Sequence, residues 1–334
     1  MTHSVPQETE SQFSLDFPYA LGKPEWSGIL KAANADFVVQ EIFPESFSNE
    51  GEHHYVLVEK DGENSHWVAR LLAEYCNVDV SAVGLAGLKD RYAVTQQWFS
   101  VQLPGQAKMD WSGFNSPNYK ILKAARHHKK LRRGDHLGNR FIIVIRDIDK
   151  NAAQADLEQR LSAIKYQGVP NYFGEQRFGI SGENLVQAQA WFQDGKRIKN
   201  RKQKSFVLSA ARSYLFNVML AKRVVLSNWQ QAIPGDVLDS DYPSGPMWGR
   251  GRLASQDDAL LLEQALVEEY SVWCDALEHQ GLKQERRPLV LMPANLSWRW
   301  QDDALELSFQ LPPGQFATAV LRELFNYREL NRHG

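Results

Sequence analysis

Residues 84–99 of the chain read GLAGLKDRYAVTQQWF. A flexible turn presents Lys89, Asp90 and Arg91, and the run from Thr95 to Phe99 leads away from it with the alternation of a strand. An aspartate with a cation on either side is held in its charged form at neutral pH. Such a carboxylate is a poor general acid. It can act as a nucleophile, as a metal ligand, or as half of a structural ion pair. The metal reading is the weakest, because no second Asp, Glu or His stands near it at ligand spacing. An Asp in a turn also serves commonly as a cap, so chemistry at Asp90 needs support from elsewhere in the chain.

Two runs of positive charge suggest what that chemistry would act on. Residues 126–133 read RHHKKLRR, with Arg126, Lys129, Lys130, Arg132 and Arg133. Residues 196–204 read KRIKNRKQK, with Lys196, Arg197 and Lys202. The whole chain has 38 Lys and Arg against 40 Asp and Glu, a formal charge of −2, so a polyanion would have to be held by local clusters like these. Phosphate backbones attract such clusters through counterion release, which points to nucleic acid as the partner; a solvated surface loop is the plainer alternative. The aromatic loop PNYFGEQRF at 170–178 could stack bases or could simply be core.

The elements that must position these residues are of both kinds. With 334 residues, 43% hydrophobic and 23% charged, the chain has the composition of a globular protein of one large domain or two. The two cysteines, Cys76 and Cys274, are too few for a disulfide framework or a cysteine-rich zinc site. There is no apolar leader, and no apolar run reaches 18 residues; the expectation is a cytoplasmic chain with no membrane span. Strands are expected at 28–32, 36–42, 54–59, 94–103, 139–146 and 305–311. Helices are expected at 65–75 (capped by Ser65), 78–83, 151–166, 183–193, 204–226, 257–279 and 315–327, with a loop at 236–252. Helix and strand do not alternate regularly, so an α+β fold with a mixed or antiparallel sheet is expected rather than a doubly wound one. The middle of the chain is mainly helical, which suggests a domain at 165–291 inserted into one formed by 1–164 and 292–334.

Five stretches, in order, resemble the TruD family of tRNA pseudouridine synthases. GLKDRYAVTQQ at 87–97 is similar to its catalytic motif, G-x-K-D-x-x-A-x-T-x-Q. RGDHLGNRF at 133–141, GVPNYFGEQRFG at 168–179, SAARSYLFN at 209–217 and LPPGQFATAVLRE at 311–323 resemble the others. The match runs from about residue 24 to residue 323, and it is hardest to align between Gly249 and Leu282, where the chain is short for the family.

The resemblance implies a pseudouridine synthase-like catalytic domain of mixed, mainly antiparallel sheet carrying a mainly helical inserted TRUD domain. It implies conversion of a uridine, uridine 13 of the D arm, in tRNA to pseudouridine, without cofactor or metal. No obligate protein partner is evident in the sequence, and a monomer is expected because one fold of this size can bind one tRNA. Asp90 would be the catalytic aspartate and Lys31 the cation paired with it. Phe37, Asn139, Phe141 and Phe316 would bind the uridine, with Phe141 as the stacking ring. Without the family, the three Phe residues read as core, Lys31 as a surface cation and Asn139 as a turn residue. The competing functions are a non-catalytic RNA-binding or RNA-folding protein of the same fold and a metal-dependent nuclease or hydrolase.

Overall fold

The computed structural model describes residues 13–106 and 108–329; the first twelve residues of the polar lead-in lie outside the described residues. Strands β1 (Ser27–Leu30), β2 (Phe37–Ile42) and β3 (His53–Asp61) come first, then helix α1 (Ser65–Tyr75). Strands β4 (Val83–Leu85), β5 (Val94–Gln102), β6 (Asn115–Ser116), β7 (Tyr119–His127) and β8 (Gly138–Arg146) lead to helix α2 (Lys150–Gln167). Strand β9 (Val169–Pro170) and helices α3 (Glu183–Phe192) and α4 (Arg201–Val225) follow. Strands β10 (Leu238–Asp239) and β11 (Tyr242–Met247) precede helices α5 (Asp257–Glu269) and α6 (Ser271–Glu278). Strands β12 (Glu285–Pro288), β13 (Val290–Leu291), β14 (Ala294–Gln301) and β15 (Ala304–Leu311), helix α7 (Ala317–Leu321) and strand β16 (Asn326–Glu329) close the chain.

These elements form two compact units. The sheet unit comprises Pro24–Lys165, Pro293–Ala317 and 324–329. Its strands run β14-β15-β8-β2-β5-β3-β7-β6, with β1, β4 and β16 joined to the side. The β2–β5 and β1–β16 pairs are parallel and the other pairs of this sheet are antiparallel. The fold is α+β with a mixed, mainly antiparallel sheet. Helix α1 covers one face through Val68 and Leu72, packed with Val56, Val58, Phe99 and Val101. The opposite face buries Tyr55, Leu57 and Trp98 with Leu131.

The helical unit comprises 13–23, Tyr166–Met292 and Thr318–Glu323. Its axis is α4, whose covered stripe includes Val207, Ala211, Leu215, Met219 and Leu220. Residues 13–23 and 318–323, expected with the outer segments, belong to this unit. Phe13 packs on Tyr214 and Trp273, and Phe17 stacks on Tyr172 at 5.3 Å. The buried Glu323 accepts from Leu21 N at 3.1 Å, and Arg322 donates to the carbonyls of Phe17 and Pro18. Aromatic anchors in an otherwise polar lead-in, not its periodicity, decide where it lies.

The sequence signature GVPNYFGEQRFG is scaffold in this unit. Tyr172, Phe173 and Phe178 are buried, so of the two readings of that loop the structure selects core. Asn217 accepts from Phe173 N and donates to Phe173 O, both at 2.9 Å, and Asn171 bridges Pro288 O and Arg287. Truncating Asn217 to Ala strands two buried backbone groups, each worth about 1–3 kcal/mol when unsatisfied. Urea unfolding should show N217A less stable by about 2–4 kcal/mol.

Other elements depart from their sequence patterns for local reasons. The expected helix at 257–279 is two helices, because Tyr270 leaves helical geometry at φ −117°, ψ 34°. The expected helix at 315–327 shortens to α7, since 326–329 pairs with β1 as a strand. The stretch 236–252 contains the short strands β10 and β11. Strands β7 and β14 had no sequence expectation: in both, one face is largely exposed, so apolar alternation is weak. No helix among the described residues is long and apolar enough to cross a membrane.

Candidate active site

Cross-strand register collects a polar group on the sheet face that α1 partly covers. Lys60 on β3 lies opposite Thr95 on β5, and Thr95 lies beside Val39 on β2. Val39 lies opposite Phe141 on β8, Glu41 opposite Asn139, and Phe37 opposite Ile143. Phe141 in turn faces Phe309 on β15, and Asn139 faces Leu311. Directly paired residues share a face, so four neighbouring strands bring Lys60, Thr95, Gln97, Glu41, Asn139, Phe37 and Phe141 onto one surface. The match of β8 to β15 depends on Gly138. A Cβ there would lie 2.5 Å from Leu311 O, a contact that side-chain-bearing residues do not make.

The loop carrying Asp90 is held onto this surface from several sides. Asn64, not Ser65, caps α1 by accepting from Trp67 N at 2.8 Å. Ser65 Oγ is thereby available to accept from Lys89 N at 3.0 Å and to donate to Gln97 Oε1 at 2.7 Å. Gln97 Nε2 donates to Gly87 O. Lys60 Nζ donates to the carbonyls of Glu63 and of Asp90 itself, the latter at 3.2 Å.

The charges are distributed differently from the sequence expectation. Lys89 does not face Asp90. It pairs with Glu41 at 2.6 Å in a buried bridge, and Glu41 also accepts from Trp98 N. Arg91 donates to Gly62 O at 3.2 Å. The cation on Asp90 is Lys31, whose Nζ lies 2.5 Å from Oδ2. Asp90 Oδ1 accepts from Tyr92 N at 3.2 Å, and the side chain is 34% exposed, so it is tethered and still reachable from outside. Glu329 stands 3.6 Å from the same lysine.

Aromatic rings continue from this pair. Lys31 Nζ sits 4.6 Å above the Phe37 ring. Phe37 meets Phe141 edge-on at 6.2 Å, and Phe141 stacks on Phe309 at 5.5 Å. Phe141 is 8% exposed, so in this structure its ring is largely covered. Asn139 Oδ1 and Thr95 Oγ1 are buried without a hydrogen-bond partner, as is Gln315 Oε1. Buried polar atoms are normally satisfied, so unpaired acceptors at a charged site fit a polar ligand. Phe316 is half-buried in the turn that follows Leu311, the residue paired with Asn139.

Burial pushes the Lys60 ammonium down to about 8, while the nearby Asp90 opposes that shift. A lysine whose folded-state value lies below 10.5 binds fewer protons folded than unfolded between those two values. Its contribution is therefore complete above pH 10.5 and lost as pH falls through about 8. Burial raises the Cys76 and Cys274 thiols to about 11 and 12 and the Tyr55 hydroxyl to about 12, which lowers stability as pH rises, so Lys60 is read by difference: urea midpoints of the wild type should rise with pH relative to those of K60M across this window.

The basic runs are partly committed elsewhere. Arg126, at the end of β7, donates twice to Gly51 O, and Lys130 donates to Ser81 O. Lys129, Arg132 and Arg133 are exposed in the sheet unit. In the helical unit Lys196 and Arg197 are exposed, Lys196 lying 3.9 Å from Asp194. Lys202 is in the first turn of α4, where Asn200 caps the helix; this cap starts α4 earlier than its apolar pattern.

The family model for tRNA pseudouridine synthase D (TruD) matches residues 16–189 and 240–324. The chain belongs to the TruD family. Its enzyme class is accordingly tRNA pseudouridine synthase. A relative from Aeromonas hydrophila named tRNA pseudouridine synthase D is 48% identical, over 95% of this chain and 95% of its own length. One of the same name from Cellvibrio japonicus is 45% identical, over 97% of this chain and 98% of its own. A TruD crystal structure from Methanosarcina mazei superposes with a TM-score of 0.71 at 20% identity, covering 92% of this chain and 95% of that one; at that identity it speaks for the fold.

Sequence patterns singled out Asp90, Lys31, Asn139 and the three Phe positions; they gave Ser65 only as a cap and Gln97 only as the end of the motif, and they assigned no group to holding the Asp90 loop. Lys60, Glu41, Ser65 and Gln97 come from β3, β2, α1 and β5. The available signal was charge in apolar strands: Lys60 closes the buried run of β3, and Glu41 falls at a covered position of β2.

Proposed function

We propose that this chain isomerises uridine 13, in the D arm of tRNA, with Asp90 as nucleophile or base. The observation that carries the role of Asp90 is its pair with Lys31: a reachable carboxylate with its cation, next to the Phe37 ring and on a face where Asn139 Oδ1 is unpaired; the choice of uridine 13 rests on the family resemblance. The catalytic part is assigned to the sheet unit and the inserted TRUD domain to the helical unit.

In the reaction the N1–C1′ bond breaks, the detached uracil turns, and C5 bonds to C1′. The proton on C5 leaves and N1 gains one, so atoms and electrons balance without a redox partner. Asp90 begins the sequence as an anion, either by adding to the base or sugar, in a bond that breaks again before the product leaves, or by taking the C2′ proton, which it later returns. Lys31 orients it and compensates its charge. Drawing the nucleotide out of its stack costs a few kcal/mol. Contact with rings lining the pocket returns about 1–3 kcal/mol; Phe37, Phe141 and Phe316 are assigned to it, and Asn139 to a hydrogen bond with the base or ribose. Lys129, Arg132, Arg133, Lys196, Arg197 and Lys202, with Arg126 and Lys130 in a more structural part, hold the surrounding phosphates.

Purified protein incubated with unmodified tRNA in EDTA should produce a carbodiimide-dependent reverse-transcription stop at position 13 and a product of unchanged mass. A stop elsewhere refutes the site assignment. Activity lost in EDTA favours the metal-dependent hydrolase instead, and tRNA binding with no stop at all favours the non-catalytic RNA-binding protein.

A further inference from the structure

The helical unit has a second candidate site between Arg250 and Arg286, a stretch that the family model matches although its sequence was expected to be the hardest to align. A cavity of about 690 Å³ is lined by Arg250, Gly251, Arg252, Ala254, Lys283 and Arg286, among others. Two backbone segments are clamped together to form it. Arg250 N donates to Leu282 O at 2.7 Å, and Gln284 N donates to Arg250 O at 3.0 Å. Gly249 N donates to Gln284 Oε1 at 2.8 Å. A Cβ on Gly249 would come within 2.5 Å of Lys283 O, so glycine is what lets the segments approach. Arg212 ties both down, donating to Met247 O and Lys283 O at 2.8 Å each.

The acids nearby are already occupied. Glu285 pairs with Arg212, and the buried Glu263 pairs with Arg286 and accepts from Ser255. Arg250, Arg252 and Lys283 are exposed and have no side-chain partner among the described residues. Three cations held on rigid backbone around one hollow repel each other until an anion enters. Guanidinium groups suit phosphate in particular, because their fork matches two of its oxygens.

We propose that Arg250, Arg252 and Lys283 form a phosphate-binding pocket for the RNA backbone. This rests on the reading of the chain as a tRNA-modifying enzyme and adds a contact to it. Each phosphate engaged releases counterions, so the pocket should contribute to the salt dependence of binding.

The test compares wild type with R250Q/R252Q/K283Q in filter binding of unmodified tRNA between about 50 and 200 mM salt. Affinity at the lower salt should fall about tenfold or more, and the slope of log K against log salt should flatten by about 2. K222Q, whose ammonium already pairs with Glu269, should leave the slope unchanged. Should the triple variant not fold, K283Q and R252Q alone should each flatten the slope by about 1. Unchanged tRNA affinity and slope overturn the proposal, including the case where inorganic phosphate binds wild type and not the variant, which would make this a small-anion site. Failure of the wild type to form pseudouridine would refute the catalytic reading while leaving the binding comparison to decide the pocket.

Discussion

Asp90→Asn is expected to abolish pseudouridine formation, by on the order of 10⁴-fold or more as when a covalent nucleophile is removed, while tRNA binding stays within about threefold of wild type. The substitution keeps the shape of the side chain and an oxygen to accept from Tyr92 N, so the loop held by Ser65, Gln97 and Lys60 has no reason to move. What is lost is the negative charge facing Lys31. On the assignment proposed above, binding rests on cations spread over both units, which the change does not touch. Single-turnover formation of pseudouridine and filter binding, measured on the same preparation, separate the two effects. Turnover in D90N within tenfold of wild type would remove Asp90 from its role, whatever the binding result.

The largest effect on stability is expected at Lys89. Its bridge to Glu41 has side-chain exposures of 5% and 0%, and removing one partner of a buried pair leaves an uncompensated charge. K89M should therefore lose about 3–5 kcal/mol of unfolding free energy by urea titration. E41Q/K89M should recover most of that loss, because the pair of neutral groups has no charge left to desolvate and Gln can still accept from Trp98 N. A double variant no more stable than K89M would show that the bridge is not the source of the loss. Since Lys89 adjoins Asp90, K89M should also slow turnover, and partial rescue in the double variant would assign that slowing to a displaced loop.

Much of the fold was legible along the chain. Strands with one buried face, such as β2 and β8, and helices with a long apolar stripe, such as α4, carry their period in the sequence, because each must cover one side. Strands with an exposed face were not legible, since β7 and β14 gain their place from pairing rather than from apolar alternation. The same holds for β16, whose partner β1 lies about three hundred residues away in sequence. The family was legible in short motifs, above all GLKDRYAVTQQ, where residue types recur at fixed spacing.

Local sequence determined that Asp90 stands in a turn, that cations surround it, and that a strand of Thr, Gln and aromatic residues follows. Which cation meets the carboxylate was decided by tertiary structure alone: Lys31 reaches it across 59 positions, while the adjacent Lys89 is drawn to Glu41. Neighbours on the chain share a position but not a direction. Strand pairing and the desolvation of buried charge determine where each side chain points.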